Sequence, residues 1–272
     1  MQSKLLYLLA VLFLFSGCSE SIEEDPAPEK TYYLQRKLSE ISFLNTGGGM
    51  IIDLTYSYNE LDQLTRISGV LLRDTVEQAV NTVLDYDGKG RVNYVQNNRG
   101  TTWTNTYNDK NQLIKLVRAY KDSEPGSQLL IYNEDNQLVE VKTYRQQNGA
   151  EVYSASRHYT YMDGNQISIK TILASGEESR SHTIATDDKK RPLPVLPIQI
   201  AADFSYAEVF GEGIFTRNNV VSSAIRDAAG NRITGGDYDA HYTYNEAGYP
   251  LTCVKLFDHG SMEKITYVYT SK

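Results

Sequence analysis

One short pattern recurs along this chain and decides what it folds into. A tyrosine is followed at once by Asn or Asp, four residues on by Asp, Asn or Gly, and six residues on by an aliphatic side chain. Copies read YNELDQLTRI from Tyr58, YDGKGRVNYV from Tyr86, YNDKNQLIKL from Tyr107 and YNEDNQLVEV from Tyr132, with looser copies at Tyr161 (YMDGNQISI) and Tyr244 (YNEAGYPLTCV). The first five copies start 21 to 29 residues apart, room for one hairpin each.

The chemistry of the repeat is that of a turn. Asn59, Asp87, Asn108, Asn133 and Asn245 stand one place after the tyrosine, where a short polar side chain bonds back to the backbone and starts a turn. Asp62, Gly90, Asn111, Asn136, Asn165 and Gly248 stand four places after it. These residue types tolerate the positive φ that closes a type I turn. Leu64, Val92, Leu113, Leu138 and Ile167 then restart an alternating run, so each unit is strand, four-residue turn, strand. Tyrosine pairs two apart (Tyr56/Tyr58, Tyr159/Tyr161, Tyr242/Tyr244, Tyr267/Tyr269) put both rings of a pair on one face of a sheet. The 21 tyrosines against 7 phenylalanines fit half-buried strands, where the ring packs and the hydroxyl reaches a partner or water. The fold class is therefore all-β, an antiparallel run of hairpins.

The tract 191–220 interrupts the pattern. Pro192, Pro194 and Pro197 exclude a central strand there. Ile200, Phe204 and Ala207 then share one helical face, which predicts one short helix near residues 199–210. TDDKKRP, from Thr186, reads as a decayed copy of the repeat whose tyrosine has become threonine.

The N-terminus reads as an address. Lys4 precedes an apolar run from Leu5 to Phe15, too short to span a bilayer and matching the apolar core of a signal peptide. Ser16 and Gly17 lead into Cys18, and Phe15-Ser16-Gly17-Cys18 resembles the lipobox of bacterial lipoproteins. That resemblance implies cleavage before Cys18 and a lipid on its thiol. The expected organisation is a signal peptide over 1–17, an acidic lipid-anchored linker over 18–30, and a β-hairpin repeat domain over 31–272. Residues 19–30, SESIEEDPAPEK, are too acidic and proline-rich to bury themselves and read as a solvated tether. The acids Glu20, Glu23, Glu24 and Asp25 resemble the signal that sends some Bacteroidetes lipoproteins to the outer face of the outer membrane, and they equally suit a plain spacer. The expected location is the outer membrane, with its periplasmic and surface sides both left open.

No catalytic constellation stands out. His158, His182, His241 and His259 form no HxH or HExxH spacing, and no zinc or other metal signature or cofactor motif appears. DYDGKG from Asp85 begins like a calcium loop, but Lys89 and Gln96 occupy ligand positions, so it reads as a hairpin turn. Cys253 with His241 or His259 would make a thiol and its base, yet nothing in LTCVKLF orients them, and Cys253 reads as a small core residue. The net charge of −7 becomes −8 once the leader with Lys4 is removed; with no basic stripe, nucleic acid is not expected as a partner. Trp103, in RGTTWTNTY, is the one candidate ligand-binding residue. On the solvent face it would stack on a sugar or anchor a peptide; between strands it would simply pack.

The units resemble tyrosine–aspartate (YD) repeats of Rhs-type toxins. More closely, the lipobox, the Y-N-x-x-[DGN]-Q-L units and the ending YTYNEAGYPLTCV…KITYVY resemble a Bacteroidetes lipoprotein domain of unknown function with a porin-like fold. The resemblance implies an antiparallel meander curling toward a barrel and brings no activity. A membrane-spanning barrel is not expected, because strands such as LIKLVRAY carry charges (Lys115, Arg118) where a lipid-facing side needs an unbroken apolar row. The function expected is a non-enzymatic envelope lipoprotein, held to the membrane through Cys18, whose repeat domain binds or scaffolds a ligand the sequence does not identify, a glycan and an envelope protein being the partners it suggests. The alternative is a glycan-binding lipoprotein of a polysaccharide-uptake system.

Overall fold

The structure, a computed structural model, describes residues 30–44, 47–121, 123–162, 165–193, 216 and 218–272. The helix expected near 199–210, Cys18 and the leader 1–17 lie outside the described residues.

The alternating runs all become strands: β1 (Tyr32–Ser42), β2 (Gly49–Tyr58), β3 (Leu64–Arg73), β4 (Val76–Tyr86), β5 (Val92–Asn97), β6 (Thr102–Tyr107), β7 (Leu113–Tyr120), β8 (Ser123–Tyr132), β9 (Leu138–Gln147), β10 (Ala150–Met162), β11 (Gln166–Leu173), β12 (Glu178–Thr186), β13 (Val220–Asp227), β14 (Tyr238–Tyr244), β15 (Pro250–Phe257) and β16 (Met262–Ser271). Each pairs antiparallel with its neighbour in sequence, and β1 pairs with β16, from Tyr32↔Ser271 to Ser42↔Met262. The expected meander therefore closes into a sixteen-strand barrel.

Closure sorts the side chains into an inner and an outer face. In register across β2, β1 and β16, Ile52, Ser39 and Ile265 form one row and Leu54, Lys37 and Tyr267 the next, all buried. Their neighbours Asp53, Glu40, Lys264 and Thr266 point the other way and are more exposed. The inner face carries two apolar clusters. One centres on Leu34, Ile52, Leu54, Ile67, Leu84, Val95, Trp103, Leu116 and Cys253. The other holds Leu113, Leu130, Leu138, Val141, Tyr159, Ile167, Ile169, Ile184 and Val220. A membrane-spanning barrel of this strand number keeps a water-filled interior and an apolar outer band. Here the arrangement is reversed. The interior is packed with aliphatic and aromatic side chains, while the outer face mixes polar groups, such as Thr102, Thr104 and Thr106 on one strand and the Arg36–Asp53 ion pair (2.6 Å) between two others, with separate exposed apolar side chains such as Ile51 and Leu256.

The turns explain the repeat. Asn59 Oδ1 accepts the backbone N–H groups of Leu61 and Gln63, Asp87 those of Lys89 and Arg91, and Asn108 those of Lys110 and Gln112. The fourth position has the positive φ that the sequence demanded: 60° at Asp62, 61° at Asn111, Asn136 and Asn165, 75° at Gly90 and 82° at Gly248. The ladder shifts by one residue at Tyr58, Tyr86, Tyr107, Tyr132 and Tyr244. A bulge of this kind at a turn pins the register of the hairpin. Thr186, where the decayed copy was expected, ends β12, and Asp187 again accepts an N–H two residues on, from Lys189.

The tyrosine itself ties one unit to the one before. Tyr86 donates its hydroxyl to the carbonyl of Leu64 (2.8 Å), Tyr107 to Val92 (2.6 Å), Tyr132 to Leu113 (3.0 Å) and Tyr161 to Leu138 (3.1 Å). In every case the acceptor is the aliphatic residue that restarts the preceding unit. Tyr58 does the same to Leu34 and Tyr242 to Val220. These bonds lie at one end of the barrel, the tyrosine end.

Candidate functional site

The inner face is not uniformly apolar. Lys37, Lys255 and Glu263 are 6%, 4% and 7% exposed. Lys255 and Glu263 face each other across β15 and β16, with Nζ 2.6 Å from Oε2. Burial pushes the Glu263 carboxyl up, and the charges of Lys255 and Lys37 more than reverse this, so it stays below its ordinary range and ionised. Charges so deeply placed persist only when paired and hydrogen-bonded.

Local irregularity puts them there. Simple alternation would set Lys37 opposite Leu34, but β1 is bulged at Gln35. The extra residue returns Lys37 to the face of Leu34, pointing inward. In β15 the sequence offers Val254 and Leu256 as the apolar face, and the register takes the other. Cys253 and Lys255 are buried, while Leu256 is 48% exposed.

A cavity opens beside these groups. It is lined by Leu34, Lys37, Tyr56, Val220, Lys255 and Tyr267, with Arg191 and Asn219 toward the tyrosine end of the barrel. Its volume is ≈ 40 Å³, where one water needs about 10–15 Å³. Described residues after β12 form part of its rim. Arg191 Nη1 donates to the Thr216 carbonyl (2.8 Å), and Asn219 Nδ2 bonds the Lys190 carbonyl and Asp187 Oδ2. Tyr244 donates its hydroxyl to that same Asp187 carboxylate. Among the described residues, three cationic side chains and no carboxylate line the cavity.

The residues singled out in the sequence are dispersed. Trp103 is 1% exposed, faces inward, and has Arg118 5.6 Å from its ring. The exposed ring that sugar stacking requires is not what the barrel presents. Cys253 is fully buried opposite Tyr242, with His241 on the other face of the wall and His259 in the β15–β16 turn; no thiol–imidazole dyad forms. Asp87 of the calcium-like segment caps its turn and pairs with Arg91 at 2.6 Å. His158 and Tyr159 lie on opposite faces, the histidine outside.

Two serine–histidine contacts that sequence spacing did not signal are also present. His158 Nε2 lies 2.8 Å from Ser156 Oγ and 3.8 Å from Glu140. Both approach the same ring nitrogen, whereas a catalytic triad needs one on each. His182 Nε2 lies 2.8 Å from Ser223 Oγ, which in turn donates to the Gly236 carbonyl at 3.0 Å. With its one proton given to Gly236, this serine accepts from the imidazole and is not activated as a nucleophile. Burial lowers the His182 pKa to about 4, keeping the ring neutral.

Solved structures share the fold. A porin-like protein from Bacteroides uniformis ATCC 8492 is similar at 15% identity and TM-score 0.59, over 87% of this chain and 98% of that one. A porin-like protein from Bacteroides vulgatus ATCC 8482 is similar at 9% identity and TM-score 0.54, over 88% of this chain and 99% of that one. No family model and no curated protein matches the chain.

Proposed function

We propose that the chain is an outer-membrane lipoprotein, anchored through Cys18, whose barrel works by binding rather than by conduction or catalysis. The observation that carries this reading is the inverted barrel. Its inner face holds two packed apolar clusters, and its outer face carries threonines and ion pairs. Each lysine or arginine facing lipid at the bilayer midplane would cost about 2–4 kcal/mol. A body of this kind is held at a membrane by an anchor such as the lipobox cysteine provides. It keeps a rigid polar wall for an envelope partner and an internal cavity for a small ligand.

Two measurements test it. Radiolabelled palmitate is expected to label the chain and not Cys18→Ser, which should leave the membrane fraction. Reconstituted into planar bilayers, the chain is expected to give no stepwise conductance; discrete channel openings would overturn the reading. Protease added to intact cells then assigns the side of the membrane: cleavage means surface exposure, protection the periplasmic face.

A further inference from the structure

The tyrosine end is not the same all the way round. The third residue after each repeat tyrosine stands at the tip of its turn, and along much of the rim it is charged: Lys89, Lys110 and Asp135, with Lys189 in the decayed copy. Two copies depart from this, with Leu61 and Ala247. They lie between β2 and β3 and between β14 and β15, and the strand order β2-β1-β16-β15-β14 puts their turns on either side of the seam where β1 begins and β16 ends. Leu61 is 77% exposed, the highest value for a large apolar side chain among the described residues. Between the two turns the rings of Tyr32, Tyr249 and Tyr269 stand 5.4 to 6.4 Å apart, each half-buried. Asp62, in the Leu61 turn, accepts from Tyr33 and pairs with Lys272, which holds that tip against the seam.

The tether proposed above enters the barrel at the same seam, since β1 begins with Tyr32. Thirteen residues, 19–31, separate Cys18 from Tyr32. Such a length spans at most about 45 Å fully extended and about 20 Å as a solvated coil, so the seam stays within that distance of the bilayer. The far end lies one eleven-residue strand further off, Tyr32–Ser42, or about 35 Å along the strand. A tyrosine ring, apolar in its body and polar at its tip, suits the headgroup level of a membrane, and an aliphatic side chain suits the layer just beneath. Charge is not the driving force, because Lys30 and Lys272 stand against Glu60, Asp62 and Glu246 and nearly cancel them. We propose that this corner of the barrel seats on the phospholipid bilayer, with Leu61 below the headgroups and Tyr32 and Tyr249 among them, so that the far end is presented outward to a partner. The seating rests on the anchored reading above and adds to it a fixed face.

The test uses the mature chain purified from membranes and reconstituted in phosphatidylcholine vesicles with brominated acyl chains, which quench tryptophan on contact. Trp103, the one native tryptophan, is 1% exposed inside the barrel and is removed in a Trp103→Phe background. Leu61→Trp, Lys110→Trp farther round the same rim and Leu44→Trp at the far end each then supply a single reporter. Emission from Leu61→Trp should fall about two-fold or more, and that from the other two should hardly change. High salt or added anionic lipid should leave the difference intact, because the contact is apolar. If the Trp103→Phe background does not fold, the same reporters are read beside native Trp103, whose interior ring adds a constant. The proposal is overturned if vesicle-bound Leu61→Trp is not quenched, if Lys110→Trp or Leu44→Trp is quenched as strongly, or if salt abolishes the difference. A chain that does not float with the vesicles overturns the anchored reading as well, whereas a floating chain with an unquenched Leu61→Trp overturns the seating alone.

Discussion

The two ends of the barrel use the same backbone turn and lock it differently. At the tyrosine end, Asn59 N–H bonds Gln63 O and Asp62 N–H bonds Asn59 O, and the units at Asp87, Asn108, Asn133 and Asn245 repeat this pattern. At the far end the same pair of bonds closes the turns that start at Asn97, Leu173, Asp227 and Phe257. What differs is the left-handed residue. In these four far-end turns it is glycine: Gly100, Gly176, Gly230 and Gly260, while the shorter far-end turns after β3 and β9 use Asp74 and Asn148. At the tyrosine end it is mostly Asp or Asn, and there the side chain is used. Asn111 Oδ1 accepts from Arg91, Asn136 Oδ1 from Gln112, and Asp62 from Tyr33, each donor coming from a different strand or turn. Glycine makes the turn at the least conformational cost. Asparagine makes the turn and also links it to the next one around the rim. The tyrosine end is thus a belt of turns joined through their left-handed residues, whereas the far-end turns are joined through other groups, as where Arg99 Nη2 donates to Gln78 Oε1 and Asp258 Oδ1 accepts the Gly235 N–H.

Alkali should break the comparison most strongly. Burial raises the phenols of Tyr86, Tyr107 and Tyr132 to about 12, against about 10 in an unfolded chain. Between those values the unfolded state has released protons that the folded state keeps, so stability is full below pH 10 and falls as pH rises through 12. Denaturant melts between pH 9 and 11.5, with tyrosinate absorbance followed alongside, should show ionisation and unfolding together. Next in size, replacing Tyr86, Tyr107 and Tyr132 by Phe removes three bonds worth about 1 kcal/mol each, and should lower stability by roughly 3 kcal/mol and soften the alkaline loss.

Smaller effects sharpen the contrast. Asn108→Ala removes a cap that accepts two backbone N–H groups and should lose about 1–2 kcal/mol in chemical denaturation. Gly176→Asn at the far end, with open space around it, should lose at most about 1 kcal/mol. Equal losses in these two would mean that the ends are locked alike. The smallest effect is at the unit capped by a carboxylate. Arg91 and the turn amides hold the Asp87 pKa at about 2. Its contribution is present above the ordinary carboxylate value and is lost as pH falls through about 2, and Asp87→Asn should remove that acid dependence from amide exchange at the turn.

Much of the tyrosine end was legible because its signals are local. The cap, the left-handed residue and the aliphatic restart all fall within six residues of each tyrosine. The bond from Tyr107 to Val92 was not legible, since it joins two units whose spacing varies and whose contact exists only once the hairpins lie side by side. The far-end turns escaped notice for another reason: they carry no tyrosine, and a glycine among polar residues reads as any loop. Closure of β1 on β16 leaves no mark in the text, as nothing in YYLQRKLSEIS names its partner. The cavity was hidden by register. Lys37 and Lys255 look like solvent lysines in strands, and only the bulge at Gln35 and the face chosen by Cys253 bring them inside. Trp103 was readable as a ligand platform or a packed ring, a choice that composition cannot make and parity in the wall can.

Every seam of the wall but one joins strands that leave the ribosome in succession. The exception, Tyr32↔Ser271 to Ser42↔Met262, waits for β16. Until that strand arrives, fifteen paired strands hold two open edges, each a row of unsatisfied backbone donors and acceptors ready to recruit another copy. Closure is therefore all or nothing, and a chain lacking β16 should accumulate as aggregates rather than as a slightly smaller barrel.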